Sequence, residues 1–192
     1  MRRIASAGLL DGWFLAGGTA LALQFGHRLS EDLVFFRAGA VEPQALIEGL
    51  SRQGRLAIQS RAAGTLHVTL DRIRLSFLKA QAPLLFQGTL YRGMQISDPR
   101  DIAVMKLVAI GGRGSRKDFV DLFFLLRSGI ALDTIMDLVR KRFTGIDYND
   151  YHLLKSLVYF DDAESEPMPR MLRRASWSEI KKTIIAEVKR FA

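Results

Sequence analysis

The chain has 192 residues, of which 48% are hydrophobic and 25% are charged, so it is long enough for one globular domain, or for one domain with a helical extension. The absence of cysteine excludes a disulfide framework and a thiolate metal site, and no apolar run approaches the roughly 18 residues of a transmembrane helix. The 28 Lys and Arg residues against 20 Asp and Glu residues give a formal net charge of +8, which favours a polyanion such as RNA as a partner, although solubility alone explains this charge equally well.

The N-terminal segment ahead of Trp13 resembles a signal peptide, because two arginines precede apolar residues. Asp11, however, interrupts the apolar part, and cleavage at this place would remove the glycine turn that follows. We therefore predict a cytoplasmic protein in which residues 1–12 form a helix or lead into the first strand.

The next elements predicted are a strand, a tight glycine turn and a helix. A short apolar run, Trp13–Ala16, is stopped by the pair Gly17-Gly18, and the helix-like segment TALALQ then ends at Gly26, in the position of a C′ glycine. Because glycine has no Cβ, a phosphate can approach this turn closely, and the start of the helix offers free N–H groups to it. The pattern indicates a candidate phosphate site at the start of the helix.

A second strand is predicted over Leu33–Phe36, with Asp32 directly before it. Side chains alternate along a strand, so Asp32 and Val34 lie on the same face. Two interpretations of Asp32 are open. It is either a turn or cap acid beside Ser30, or a functional acid at the mouth of the strand.

One helix and several short strands complete the predicted N-terminal half. The helix runs from Gln44 to Ser51 and is followed by Gly54. Asp71-Arg72 is predicted as a two-residue hairpin turn, although it lacks the glycine that such turns prefer. The predicted strands are Leu56–Gln59, Leu66–Leu70, Ile73–Leu78 and Met94–Ile96.

From Asp98 onward the apolar residues recur with the period of a helix. Asp98-Pro99 supplies a cap and a proline at the first position, and Gly111-Gly112 is predicted to break this helix. The sequence therefore predicts an α/β domain over residues 1–97 and a helical domain over residues 98–192. The predicted helices run to Ile110, from Ser115 to Arg127, from Leu132 to Arg142, from His152 to Tyr159 and from Ser178 to Phe191.

Lys106 stands in the middle of an apolar helix face, with Ile102 and Ile110 one turn away on either side. A lysine in this position is costly unless its amine snorkels to solvent or meets an anion. If the anion is a phosphate ligand, Lys106→Met is predicted to keep or raise the stability of the free protein.

The next helix carries Asp118 and Asp121 on one face, behind a basic segment. Asp118 follows Ser115 by three residues, the spacing of a capping box, whereas Asp121 faces apolar neighbours with Lys117 behind it. The basic segment is interpreted either as a contact for triphosphate or RNA or as a solvated loop. Its members are Arg113, Arg116 and Lys117.

Together these motifs resemble a known family. The glycine pair followed about a dozen residues later by an acidic strand is similar to the first motif of the nucleotidyltransferase superfold, and the longer match GGTALAL…GHR…S.DL.FF resembles the AbiEii family of abortive-infection and toxin–antitoxin proteins. The segment RKDFVD is similar to the last motif of that family. The resemblance implies an α/β (α+β) fold with a minimal nucleotidyltransferase mixed sheet and flanking helices, followed by a C-terminal helical bundle that completes the cleft.

The same resemblance implies a chemistry and a set of site residues. The protein would transfer a nucleotide from an NTP, with Mg²⁺ or Mn²⁺, to an RNA acceptor such as tRNA or to a protein, and it would have a cognate antitoxin as partner. Asp118 or Asp121 would be the functional acid of the helical half, and Arg28 would support the active-site turn. The remaining implied contacts are Asp32 for the metal, Gly17, Gly18 and Thr19 for the triphosphate, and Lys106 for the phosphates.

The chain departs from the family pattern at two acid positions. Val34 stands where the family has the second metal-binding Asp, and Ser76 stands at the place of a third acid. An alternative function is therefore a catalytically degenerate protein that binds nucleotide, RNA or a protein partner without turnover.

Overall fold

The first half of the chain forms a mixed β-sheet, in agreement with the predicted fold. The computed structural model describes residues 2–146 and 148–191. Met1 and Ala192, the outer ends of the two predicted domains, lie outside the described residues. Within the described part, seven strands pair in the order β3-β4-β5-β2-β1-β7-β6. They are β1 (Phe14–Ala16), β2 (Asp32–Arg37), β3 (Leu56–Ala62), β4 (Thr65–Leu70), β5 (Ile73–Lys79), β6 (Thr89–Tyr91) and β7 (Met94–Ile96).

The centre of the sheet combines two parallel pairings with one antiparallel pairing. Strand β2 runs parallel to β5 and antiparallel to β1, and β1 runs parallel to β7. On one face, Phe35 stacks on Phe77 at 5.4 Å between ring centroids, and Trp13 meets Phe77 edge-on at 5.0 Å. The opposite face of β2 and β5 carries Asp32, Arg74 and Ser76 beside apolar side chains such as Val34, so these polar groups lie away from the aromatic core.

The predicted hairpin turn at Asp71-Arg72 is confirmed. Leu70 pairs with Ile73, and the two turn residues have φ angles of +46° and +71°. Both lie in the left-handed region that a two-residue hairpin requires and that glycine would adopt more easily. The Asp71 carboxylate holds the turn by accepting hydrogen bonds from the backbone N–H of Arg55 and from the guanidinium of Arg3, each at 2.9 Å.

The helices of the N-terminal half are α1 (Arg2–Ser6), α2 (Gly17–Phe25) and α3 (Pro43–Ser51). Gly26 follows α2 with φ +58° and donates to the carbonyl of Ala22 at 2.9 Å, which confirms the predicted C′ glycine. Helix α1 is shorter than the predicted N-terminal element, and strand β6 was not predicted.

The second half is helical, as predicted. It comprises α4 (Pro99–Arg113), α5 (Arg116–Arg127), α6 (Leu132–Arg142), α7 (Asp150–Val158), α8 (Asp161–Glu164) and α9 (Trp177–Phe191). The predicted break of α4 at Gly111-Gly112 is wrong, since the helix continues to Arg113. A Cβ at Gly111 would come within 2.7 Å of Leu153, so this glycine allows α7 to approach α4 closely instead of ending the helix.

The chain divides into two compact units. The sheet unit comprises Met1–Ala20 and Ser30–Asp98, and the helical unit comprises Leu21–Leu29 and Pro99–Ala192. The segment Leu21–Leu29 therefore belongs with the C-terminal helices, whereas the sequence patterns place it in the α/β half. That residues 1–97 and 98–192 form two separate domains stays a prediction.

Candidate functional site

The sheet unit contains the glycine turn and the candidate metal acid. Gly17 has φ +68° at the junction of β1 and α2, a conformation that residues with a side chain rarely adopt. Two residues later, the Thr19 hydroxyl lies 2.7 Å from the Ser30 hydroxyl and donates a hydrogen bond to the backbone carbonyl of Asp32. Thr19 thus joins the first turn of α2 to the start of β2, and its hydroxyl already has protein partners.

The carboxylate of Asp32 is paired with an arginine. Asp32 and Arg74 are register partners on the parallel strands β2 and β5, and Arg74 Nε lies 2.6 Å from Asp32 Oδ1. A terminal nitrogen of the same guanidinium lies 3.3 Å from Glu31 Oε2. The side chains of Asp32 and Arg74 are 48% and 60% exposed, so the pair is open to solvent.

The other two acid positions of the family pattern lie in the next row of the same face. Val34 is the register partner of Ser76, and Ser76 is the partner of His67 on β4. The Ser76 hydroxyl lies 2.8 Å from His67 Nδ1. The structure therefore brings all three positions together, but two of them carry neutral side chains.

The residues of this face do not fit the two-ion site that the family pattern implies. Divalent magnesium and manganese prefer oxygen ligands, carboxylates above all. Asp32 is the one carboxylate at the three positions, and Arg74 occupies it. Among residues 2–146 and 148–191, no group of three or more His, Cys, Asp or Glu side chains could hold a metal ion.

In the helical unit, Asp121 is the centre of a buried ionic cluster. Arg28 binds its carboxylate through two parallel hydrogen bonds, from Nε to Oδ1 at 2.7 Å and from Nη2 to Oδ2 at 2.8 Å. His27 Nε2 lies 2.8 Å from Oδ1, and Lys106 Nζ lies 2.7 Å from Oδ2. The Asp121 side chain is fully buried, so these contacts replace water around its charge.

The charges of the cluster stabilise one another. Burial alone would raise the pKa of Asp121, but the attraction of Lys106 and the hydrogen bonds from His27 and Arg28 hold that pKa well below the usual range of an aspartate. Burial alone would lower the pKa of Lys106, but the attraction of Asp121 and Asp118 outweighs it and raises the pKa above that of an ordinary lysine. Both groups are therefore charged at neutral pH.

Asp118 serves both the helix start and the lysine. The Ser115 hydroxyl accepts from Asp118 N–H at 3.4 Å and Asp118 Oδ2 accepts from Ser115 N–H at 3.3 Å, which confirms the predicted capping box. Asp118 Oδ1 accepts a hydrogen bond from Lys106 Nζ at 2.7 Å. The anions that Lys106 meets in the free protein are thus two carboxylates of the next helix.

His27 and Arg28 are positioned by the end of α2 and by a strand-like segment before α9. Arg28 forms an isolated β-bridge with Met171, and the His27 carbonyl accepts the backbone N–H groups of Leu172 and Arg173. From the sequence, the support of a turn is predicted for Arg28 and no role is predicted for His27. Their pairing with Asp121 was missed, although Lys106 and Asp121 on apolar helix faces signalled buried charges that need partners.

The basic segment before α5 separates into residues with different environments. The Arg116 guanidinium donates to the carbonyls of Ala163 and Glu164 at 2.8 and 2.9 Å and lies over the Trp177 ring at 4.7 Å. Arg116 therefore fastens α5 to the segment around α8 and α9. Arg113 and Lys117 are exposed.

Comparisons with known proteins place these features in a family. The profile described as "Nucleotidyl transferase AbiEii toxin, Type IV TA system" matches residues 1–75 and 68–191. An uncharacterized protein of Aquifex aeolicus (strain VF5) is 35% identical over 196 residues, covering 100% of this chain and 93% of the relative.

Two solved structures have a similar fold. JHP933 of Helicobacter pylori superposes with a TM-score of 0.53 at 18% identity, over 98% of this chain and 89% of that protein. MenT4, a nucleotidyltransferase toxin of Mycobacterium tuberculosis H37Rv, has a TM-score of 0.52 at 16% identity, over 97% of this chain and 81% of its own. No helix within the described residues is long and apolar enough to cross a membrane.

Proposed function

Because the chain belongs to the AbiEii nucleotidyltransferase toxin family, we propose that it takes an NTP as substrate and transfers the nucleotide to an RNA or protein acceptor. The proposed RNA acceptors include tRNA. We also propose that this chain has a cognate antitoxin as its protein partner and that it is located in the cytoplasm. The mixed sheet and the toxin-type structural neighbours support the transferase class.

One observation carries the proposal for the sheet unit. The glycine turn at the start of α2 and the acid at the start of β2 are joined by the Thr19 hydroxyl, which donates to the Asp32 carbonyl. The N–H groups of Gly17, Gly18 and Thr19 at the start of α2 are suited to phosphate oxygens, and Gly17 has open space where a side chain would otherwise stand. We therefore assign the triphosphate to Gly17, Gly18 and the backbone of Thr19.

The proposed reaction is an in-line displacement at the α-phosphorus of the NTP. An acceptor hydroxyl forms the new P–O bond, the bond to pyrophosphate breaks, and the hydroxyl proton passes to Asp32, the one carboxylate at the three acid positions. We give Mg²⁺ or Mn²⁺ no step, because Val34 and Ser76 supply no carboxylate ligand.

For the helical unit we propose Lys106 and Asp118 as the functional pair. Asp118 is 18% exposed at its side chain and can exchange its contact with Lys106 for a ligand, whereas Asp121 is fully buried. We assign Asp121 the role of a positioning residue that holds Lys106 and Arg28. If Asp118 releases Lys106 when a ligand binds, the Lys106 amine becomes available to phosphate oxygens, and we propose this role for it.

Incubation with each radiolabelled NTP and total RNA tests the proposed function. We expect label from at least one NTP to enter RNA or protein, and we expect Asp32→Ala to abolish the transfer. Glu48→Gln is the matched control, since it changes an exposed acid of the same unit on α3. Absence of transfer from all NTPs, with and without divalent metal, contradicts the proposal.

The second candidate function is nucleotide binding without turnover, which the neutral side chains of Val34 and Ser76 favour. Val34→Asp tests it by placing a second carboxylate one strand repeat from Asp32, about 6–7 Å between Cα atoms. If transfer then appears and the melting temperature becomes dependent on metal, the native chain is a binding protein that lost turnover at this position. Transfer by the unaltered protein contradicts this alternative.

A further inference from the structure

We propose that Arg74 takes the place of a divalent cation beside Asp32, so that this protein binds the phosphates of its nucleotide without a metal ion. The inference rests on the proposed nucleotide substrate. It differs from that proposal in naming the positive charge that meets the triphosphate and in excluding a metal requirement for binding.

The register of the sheet holds Arg74 at this place. Strand β2 pairs in parallel with β5 over its whole length, which aligns Asp32 with Arg74 and Val34 with Ser76 on one face. Arg74 Nε approaches Asp32 Oδ1 to 2.6 Å, a charge-assisted hydrogen bond at the carboxylate oxygen that a metal would need. The guanidinium is therefore set by backbone pairing and by a direct contact.

The positions next to Asp32 also disfavour a metal ion. A divalent ion bound to Asp32 would find no second carboxylate at Val34 or Ser76, and the Ser76 hydroxyl is engaged with His67 Nδ1 at 2.8 Å. The same ion would also be repelled by the positive charge of Arg74. The donor set thus disfavours a metal for two independent reasons.

Arg74 has the chemistry to bind phosphate directly. A guanidinium carries five N–H donors in a planar fork, and this fork matches phosphate oxygens in a bidentate manner. Its contacts with Asp32 and Glu31 use Nε and one terminal nitrogen, while 60% of the side chain remains exposed. Thr19 ties the first turn of α2 to Asp32, so the N–H groups of that turn belong to the same corner of the sheet unit.

Calorimetric titration with each of the four NTPs, in EDTA and in millimolar MgCl₂, tests the inference. We expect the unaltered protein to bind at least one NTP in EDTA as tightly as in MgCl₂ or more tightly, because the free nucleotide carries more negative charge. In EDTA, Arg74→Gln is expected to weaken binding by roughly ten- to a hundredfold, the equivalent of one charged hydrogen bond. Arg74→Lys should recover part of the affinity as a point charge.

Arg61→Gln is the matched control, because it removes one exposed arginine of the same sheet that contacts Gln44 instead of Asp32. Binding that occurs only with MgCl₂, or Arg74→Gln binding equal to that of Arg61→Gln, overturns the inference and leaves the proposed function standing. Failure of every NTP to bind in both solutions overturns the proposed function itself. If Arg74→Gln does not fold, the comparison of EDTA with MgCl₂ on the unaltered protein still decides.

Discussion

Two aspartates of this protein are each held by an arginine, but the surroundings of the two pairs are opposite. Asp32 and Arg74 share a single close contact on a sheet face and are 48% and 60% exposed. Asp121 and Arg28 form a bidentate pair with 0% and 4% of their side chains exposed. Asp32 and Asp121 both stand in motifs of the family, but the exposed aspartate is suited to contact a ligand and the buried one to stabilise the fold.

The physical basis is the cost of removing charge from water. An exposed ion pair contributes little to the free energy of folding and costs little to open, so its partners stay available to a ligand. A buried carboxylate needs a full set of donors, and Asp121 has them in Arg28, His27 and Lys106. We therefore expect substitutions of the buried Asp121 to act on folding, and substitutions on the sheet face to act on ligands.

The largest expected effect is that of Asp121→Asn. The substitution leaves Arg28 and Lys106 buried without their shared carboxylate, so the free energy of unfolding should fall by about 3–5 kcal/mol. Urea denaturation followed by circular dichroism measures this loss. A loss below about 1 kcal/mol, the value typical of exposed pairs, would remove the contrast between the two aspartates.

Lys106→Met is expected to have the next largest effect. From sequence alone this change was predicted to keep or raise stability, but that prediction took a phosphate ligand as the partner of the lysine. In the structure the amine contacts Asp118 and Asp121, so its removal should cost about 2–3 kcal/mol, less than Asp121→Asn because Arg28 still pairs with Asp121. A melting temperature equal to or above that of the unaltered protein would contradict this reversal.

The same cluster predicts how stability depends on pH. Because the pKa of Asp121 is lowered by folding, its contribution is present above the ordinary aspartate value of about 4 and is lost as the pH falls further. Because the pKa of Lys106 is raised by folding, its contribution is present below about 10.4 and is lost as the pH rises beyond that value. Each proton taken up or released should change stability by about 1.4 kcal/mol per pH unit.

Denaturation midpoints measured across this range check the prediction, with Asp121→Asn as the comparison. The acid slope should be shallower in that variant, since one carboxylate with a lowered pKa has been removed. Parallel curves for the two proteins would assign the acid sensitivity to other carboxylates.

A smaller effect is expected for Ser115→Ala at the start of α5. The change removes the hydroxyl that accepts from Asp118 N–H, so the cap is lost and stability should fall by about 1 kcal/mol. Ser128→Ala is a matched control at the other end of the helix, where the hydroxyl donates to the Leu125 carbonyl. An equal loss in both variants would show that the capping box contributes no more to the free energy of unfolding than the Ser128 hydrogen bond does.

The smallest effect on stability is expected for Asp32→Asn. Its partner Arg74 remains solvated after the change, so the free energy of unfolding should alter by no more than about 1 kcal/mol. Thermal denaturation beside Asp121→Asn completes the comparison. A loss as large as that of Asp121→Asn would make Asp32 a structural residue and would weaken its assignment to the site.

The elements of this fold follow largely from local patterns. Short runs suited to strands predicted β3, β4 and β5, with clear alternation in β5, and the helical period predicted α5 and α6. The continuation of α4 through Gly111 could not be predicted, because it depends on the close approach of Leu153 from another helix. Local propensity disfavours glycine in a helix, and tertiary packing overrides it here.

The candidate site was predictable in its members but not in their pairings. Asp32, Lys106, Asp118 and Asp121 all stood out by motif or by charge on an apolar face. Two partners of Asp121, Arg28 and His27, however, lie 93 and 94 residues earlier in the chain, and a single sequence carries no signal of such a contact. The contact between Asp32 and Arg74 likewise depends on the register of two parallel strands, which local patterns do not specify.

The assignment of Leu21–Leu29 to the helical unit has a consequence for biosynthesis. When the ribosome has released only the first 98 residues, the strands can pair, but His27 and Arg28 have no carboxylate to bind, because Asp121 has not been synthesised. We expect this segment to stay unfolded while translation continues, which prolongs the exposure of the apolar residues of α2 to chaperones or to other chains. We therefore expect this segment to fold only after the C-terminal helices have been translated, later than the sheet strands.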